Sequence, residues 1–236
     1  MKRQAWSNLF TAAMTVCALV VVALVVRRAL GSSGEEASRP RNVARWEVYA
    51  AHGQRMGPRD APVTITSFSD FQCPACRILA ERLRALRARY PGEVAVVYRH
   101  FPLPMHKDAV QAARAAECAG EQGRFEPFHD ALFSAQGSIG RRPWARFAEA
   151  AGVPDTAAFA ACLARPGRVA ALDRDRAAGR ELGVTGTPTV LINHILVQGA
   201  PTERALDLLV QRMLGAAGRD AGSGRTTPVS APRAGR

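Results

Sequence analysis

At 236 residues the chain has room for one folded domain of ordinary size, and two full domains would be tight. An apolar fraction of 47% against 22% charged residues excludes a disordered or collagen-like chain. The net charge of +12 is spread rather than focused: seven Arg against four acidic residues between Arg27 and Asp60 give +3, and four Arg against Asp220 from Gly215 onward give another +3. Half of the excess lies outside the expected fold, and no nucleic-acid partner is expected.

Residues 9–26, LFTAAMTVCALVVVALVV, carry no charge and approach the length of a membrane-spanning helix. With its flanking charges, residues 1–30, this segment reads as an uncleaved anchor in the cytoplasmic membrane. A cleaved signal peptide is the alternative, but Ala29-Leu30-Gly31 is a poor cleavage site and follows Arg27 and Arg28. Cys17 reads as an apolar filler. Lys2 and Arg3 on one side and Arg27 and Arg28 on the other leave the orientation open. Residues 31–56 read as a flexible linker, beginning with GSSGEEASRPRN, and residues 215–236 as a disordered basic tail.

Within residues 57–214 the hydrophobic period alternates. VTITSF (63–68) and VAVVYRHF (94–101) are rich in β-branched and aromatic residues and read as strands. Between them Leu79, Leu83, Leu86 and Tyr90 recur at helical spacing, with Arg77, Arg82, Arg84 and Arg87 elsewhere, so the unit is βαβ with parallel strands. Residues 104–183 read as four or five helices broken at Gly and Pro. TVLI (189–192) and ILVQG (195–199) form a hairpin, in whose turn His194 is expected as a loop residue at positive φ. A last helix, starting near Thr202, carries Leu206, Leu209, Val210 and Met213. The order is that of an α/β, thioredoxin-like fold with an inserted helical domain.

The stretch FSDFQCPACRILAERLRAL (68–86) places two cysteines at a strand-to-helix seam. Cys73 falls at the helix N-terminus and Pro74 in the first turn, where its missing N–H costs nothing. Free backbone N–H groups and the positive end of the helix dipole then face the Cys73 sulfur and favour the thiolate, the form that attacks a disulfide. Cys73 reads as the exposed nucleophile and Cys76, one turn on, as its buried resolving partner. A zinc half-site is the alternative, but zinc needs four ligands, and Cys118 and Cys162 stand singly, 44 residues apart. No metal and no cofactor are expected.

FSDFQCPACR, GPRDAPVTI (57–65), VVYRHFPL (96–103), CAGEQGRFEPFHDALF (118–133) and GVTGTPTVLIN (183–193) together resemble the DsbA-like family of thioredoxin-fold thiol-disulfide oxidoreductases. The resemblance implies an extracytoplasmic enzyme that passes its Cys73–Cys76 disulfide to cysteine-containing exported proteins and is reoxidised by a membrane redox partner. It implies a cis peptide at Thr187-Pro188 opposite the cysteines, with the Thr187 backbone pairing with substrate; proline makes cis accessible, and TGTP is a turn sequence. It also implies that Cys118 and Cys162 can form a structural disulfide; two buried thiols and a relay to Cys73 are the alternatives. His100, His106 and His129 read as core or surface histidines.

Two departures from the family pattern stand out. Ser67 occupies a position where the family often has a buried Glu that assists proton movement at the resolving cysteine. The dipeptide Pro74-Ala75 lacks the His of strongly oxidising members, so a less extreme potential is expected. The expected function is a disulfide oxidase on the outer, periplasmic side of a bacterial cytoplasmic membrane. A reductase or isomerase of the same fold, or a non-catalytic peptide-binding module, are the competing readings.

Overall fold

The computed structural model describes residues 14–23, 40–167 and 169–223, the last six of these by backbone alone. Residues 14–23 are helical (α1) with exposed side chains; the rest of the expected anchor lies outside the described residues. Among the described residues no helix is long and apolar enough to cross a membrane. The described residues from Pro40 onward form one compact unit.

Among the described residues that unit is built on a six-stranded sheet, with β1 (Arg41–Asn42) at one edge, then β6 (Ile195–Gln198), β5 (Thr189–Ile192), β3 (Val63–Ser69), β4 (Val94–His100) and β2 (Gln54–Met56). Its centre is β3 (Val63–Ser69), parallel to β4 (Val94–His100) and antiparallel to β5 (Thr189–Ile192). Every residue of β3 and β4 is buried, as expected of strands covered on both faces, so burial is continuous and only side-chain direction alternates. Val63, Ile65, Val96 and Tyr98 join the core beneath α3 (Pro74–Arg89), while Phe68 joins Leu182, Leu191 and Leu196 on the opposite face. Helix α3 buries Cys76, Leu79, Leu83 and Leu86, one stripe at helical spacing.

The helical insertion holds five α-helices: α4 (Ala109–Gly120), α5 (Phe125–Ser134), α6 (Trp144–Ala150), α7 (Thr156–Ala164) and α8 (Ala170–Glu181). Hairpin strand β6 (Ile195–Gln198) follows β5. In its turn the positive φ belongs to Asn193, at 44°, and not to His194. Asn tolerates that backbone, and its side chain is used: Oδ1 accepts the Thr64 N–H at 2.8 Å and Nδ2 donates to Pro62 O at 3.1 Å.

Two boundaries differ from the sequence reading. Residues 40–56 are no tether: β1 (Arg41–Asn42) pairs with β6, helix α2 (Glu47–Ala50) follows, and β2 (Gln54–Met56) pairs with β4. Gly53 makes this possible, at φ +106° and so close to β4 that a Cβ would stand 2.5 Å from Tyr98 O. At the other end α9 (Glu203–Ser223) enters the segment expected to be unstructured, because Ala-rich sequence propagates a helix already nucleated by its packed stripe. The rest of that tail, 224–236, lies outside the described residues.

Behind the site, Arg99 and Asp175 are both almost wholly buried, with Nε 2.5 Å from Oδ1. Arg99 Nη1 also donates to Tyr49 O at 2.8 Å, and Asp175 Oδ2 accepts the His100 N–H at 2.7 Å. The pair ties α2, β4 and α8 together.

Candidate active site

Cys73 caps α3 with extended backbone (φ −78°, ψ 120°), and Pro74 takes the first helical position. The carbonyl of Cys73 accepts the first helical bond from the Cys76 N–H at 3.0 Å, so the first turn closes directly over the two cysteines. Both sulfurs are free thiols. Cys73 is not the exposed group that sequence suggests: it keeps 7% of its surface and Cys76 only 1%.

The cover comes from across the sheet. Because Phe68 pairs with Thr189, the chain leaving β3 towards Cys73 and the chain entering β5 from Pro188 lie side by side. The Thr187-Pro188 peptide is cis, and Thr187 O accepts from the Cys73 thiol at 3.3 Å. From the insertion, Gln136 Nε2 donates to both Phe71 O and Cys73 O at 2.9 Å.

Electrostatics separates the two thiols. Cys73 is lowered from the ordinary range near 9 to about 5, first by the hydrogen bond from the Cys76 thiol, against the opposing effect of burial, and then by the Thr187 side chain and the backbone N–H groups of Cys76 and Ala75. The helix N-terminus therefore contributes, but its neighbour's thiol contributes more. Burial, followed by the charge and hydrogen bonding of Cys73, pushes Cys76 far above the range of an ordinary thiol. One sulfur is poised as thiolate and the other as thiol, a division that suits nucleophilic attack followed by resolution.

Asp70, absent from the sequence reading, organises the loop before Cys73. Its carboxylate accepts the N–H groups of Gln72 and Leu103 at 2.7 Å and bonds His106 Nδ1 at 2.8 Å. Gln72 in turn accepts the Asp108 N–H at 2.7 Å. The only sequence signal was an acid between a strand and the cysteines, and its partners lie too far along the chain to be inferred. His106 thus bonds into the loop before Cys73, whereas the buried His100 bonds Glu117 at 2.8 Å and the buried His129 bonds the partly exposed Asp130 at 2.9 Å. Burial pushes the Glu117 carboxyl up, but hydrogen bonds from His100 and Gln54 outweigh it and hold it below the usual range.

Cys118 and Cys162 are bonded, with Cα atoms 5.8 Å apart, and link α4 to α7. Among the described residues no cluster of His, Cys, Asp or Glu could hold a metal ion.

Fold and site together define a thiol-disulfide oxidoreductase. A model described as Thioredoxin matches residues 50–212, and the chain belongs to that family, among its DsbA-like members. A thioredoxin-like oxidoreductase from Silicibacter pomeroyi is 27% identical, with a TM-score of 0.62 over 73% of this chain and 99% of that one. DsbA2 of Pseudomonas aeruginosa is 26% identical, with a TM-score of 0.50 over 67% and 92%. The thiol-disulfide exchange protein alpha-DsbA2 of Wolbachia pipientis, at 20% identity and a TM-score of 0.60 over 73% and 100%, shares the fold. A curated relative, the Na(+)/H(+) antiporter NhaA 3 of Salinispora tropica, is 38% identical over 58% of this chain. The chain spans about a fifth of that antiporter's length, so most of the antiporter has no counterpart here.

Proposed function

We propose that the protein is a disulfide oxidase for exported proteins, with Cys73 as nucleophile and Cys76 as resolving thiol. In the oxidised enzyme a substrate thiolate attacks Cys73 Sγ; the Cys73–Cys76 bond breaks, and its electron pair leaves on Cys76, which takes a proton. A second substrate thiolate then attacks the substrate sulfur of the mixed disulfide and expels Cys73 as thiolate. The substrate has lost two electrons and gained a disulfide, and the enzyme holds the dithiol until a membrane redox partner with a more oxidising disulfide takes the electrons. Thr187, whose carbonyl lies beside Cys73, offers its backbone to an extended substrate segment.

The observation that carries this direction is the lowering of Cys73 to about 5. A thiolate stable at neutral pH is a good leaving group and stabilises the reduced enzyme, which makes the disulfide an oxidant. The value lies between those of thioredoxin, about 7, and DsbA, about 3.5, so a potential between about −270 and −120 mV is expected. Equilibrating the full chain with glutathione buffers and counting free thiols measures it. A value at or below about −270 mV would make the protein a reductant instead.

The catalytic unit works outside the cytosol, tethered to the cytoplasmic membrane by residues 9–26. The Cys118–Cys162 bond supports this, since structural disulfides persist in oxidising compartments. A membrane-impermeant thiol reagent added to intact cells should label reduced Cys73; labelling only after lysis would reject the placement.

A further inference from the structure

Beneath α3, against the side of Cys76 that faces the sheet, lies a cavity of about 20 Å³, room for one water molecule. Its inner wall holds Cys76, Ser67, Ser69 and Tyr98, all at most 3% exposed. Its outer wall holds Arg84, Arg87, Glu126 and Asp130, all open to solvent in part, and His129 stands between. The cavity therefore leads from the resolving sulfur to the surface.

Among the apolar side chains of Met56, Leu83, Val96 and Phe133, which also line it, the cavity wall carries buried hydroxyls. Ser67 and Ser69 share a hydrogen bond at 3.0 Å, and the Tyr98 hydroxyl is buried with no partner among the described residues. An orphaned buried hydroxyl destabilises the fold unless something uses it. Burial pushes that hydroxyl well above its ordinary range, so it stays protonated and can both give and accept a hydrogen. The Tyr98 ring packs edge-on against His129, with centroids 5.1 Å apart. His129 Nδ1 lies 2.9 Å from Asp130 Oδ1. Burial raises the Asp130 carboxyl, but His129, Arg84 and Arg87 outweigh it and keep it ionised. An ionised carboxylate accepts only, so the hydrogen sits on Nδ1 and Nε2 is left to take a proton. His100 flanks Tyr98 from β4 but is committed to Glu117.

We propose that this cavity is the proton path of the resolving thiol, with one cavity water, held by the orphaned Tyr98 hydroxyl, passing the Cys76 proton to and from His129. When Cys76 Sγ attacks a mixed disulfide on Cys73, the S–H proton moves to the cavity water as that water, hydrogen-bonded to Tyr98 Oη, releases one of its own to His129. The new S–S bond forms and the leaving thiolate departs with the electron pair. In the opposite direction Cys76 is expelled as thiolate and is reprotonated along the same path. The short Ser67 side chain leaves room for the water. The inference rests on Cys76 being the resolving thiol.

The test uses the full chain with Cys17→Ser, its Cys118–Cys162 bond intact, mixed with one equivalent of 5,5′-dithiobis(2-nitrobenzoate) in a stopped-flow instrument. Cys73 attack releases a first thionitrobenzoate and Cys76 attack on the resulting mixed disulfide releases a second. Tyr98→Phe keeps the ring packing and removes only the orphan hydroxyl. Its first phase should match the parent, while its second should slow at least about tenfold at neutral pH and climb with pH where the parent is flat, as solvent hydroxide replaces the relay. An unchanged second phase and pH profile in Tyr98→Phe would overturn the relay. A second phase persisting in Cys76→Ser would instead overturn the resolving role on which the relay rests.

Discussion

The backbone N–H of Asp70 points at the sulfur of Cys76 from 3.5 Å, so the residue that follows the central strand also touches the buried thiol. Its carboxylate, wholly buried, collects the Gln72 and Leu103 N–H groups and His106. Asp70→Ala strands two backbone donors and a histidine, and should cost about 2–4 kcal/mol. Asp70→Asn keeps an acceptor oxygen and should cost less. Urea unfolding checks both, with a lowered midpoint and an unchanged slope expected.

Alkylation of Cys73 by iodoacetamide, followed against pH in the Cys17→Ser chain, should show a midpoint near 5, the value to which the site lowers it. Since the Cys76 thiol is the largest lowering influence, Cys76→Ala should raise the midpoint distinctly. Cys76→Ser retains a hydrogen donor and should stay nearer the parent. Equal midpoints for the two variants would assign the effect to the helix N-terminus instead.

The same lowering makes the reduced protein's stability pH-dependent. Folded Cys73 ionises near 5 and unfolded Cys73 near 9, so between those values the unfolded chain holds one proton more. The thiolate's contribution is fully present above pH 9 and is lost as pH falls towards 5, at up to about 1.4 kcal/mol per pH unit. The difference in unfolding free energy between reduced and oxidised protein should therefore shift in favour of the reduced form from pH 5 to 9. A flat difference would contradict the lowering.

Arg99→Ala leaves Asp175 charged and uncompensated between β4 and α8, and should cost about 3–5 kcal/mol. Burial already pushes the Asp175 carboxyl up against the opposing pull of His100 and Arg99, so removing Arg99 should push it further. An Arg99→Met, Asp175→Leu double variant should recover most of the loss, because it removes both desolvated charges. Guanidinium denaturation of the three proteins decides the point.

Local physics reached a long way from the sequence. A β-branched run, an apolar stripe at helical spacing and a Cys-Pro seam each act over a few neighbouring residues, so β3, α3, β4 and the position of Cys73 at a helix cap follow without any long-range information. Strands β1 and β2 did not, since at two and three residues they carry no readable period and exist through pairing with β6 and β4. The clamp on Asp70 joins residues 33 and 36 apart, and Gln136 reaches Cys73 across 63. Folding alone could bring such partners together. The sequence determined which two sulfurs share the helix cap; the tertiary structure decided how they differ, because the depth of burial and the hydrogen bond from one thiol to the other, more than the helix end that any Cys-Pro-x-Cys segment carries, set one far below the other.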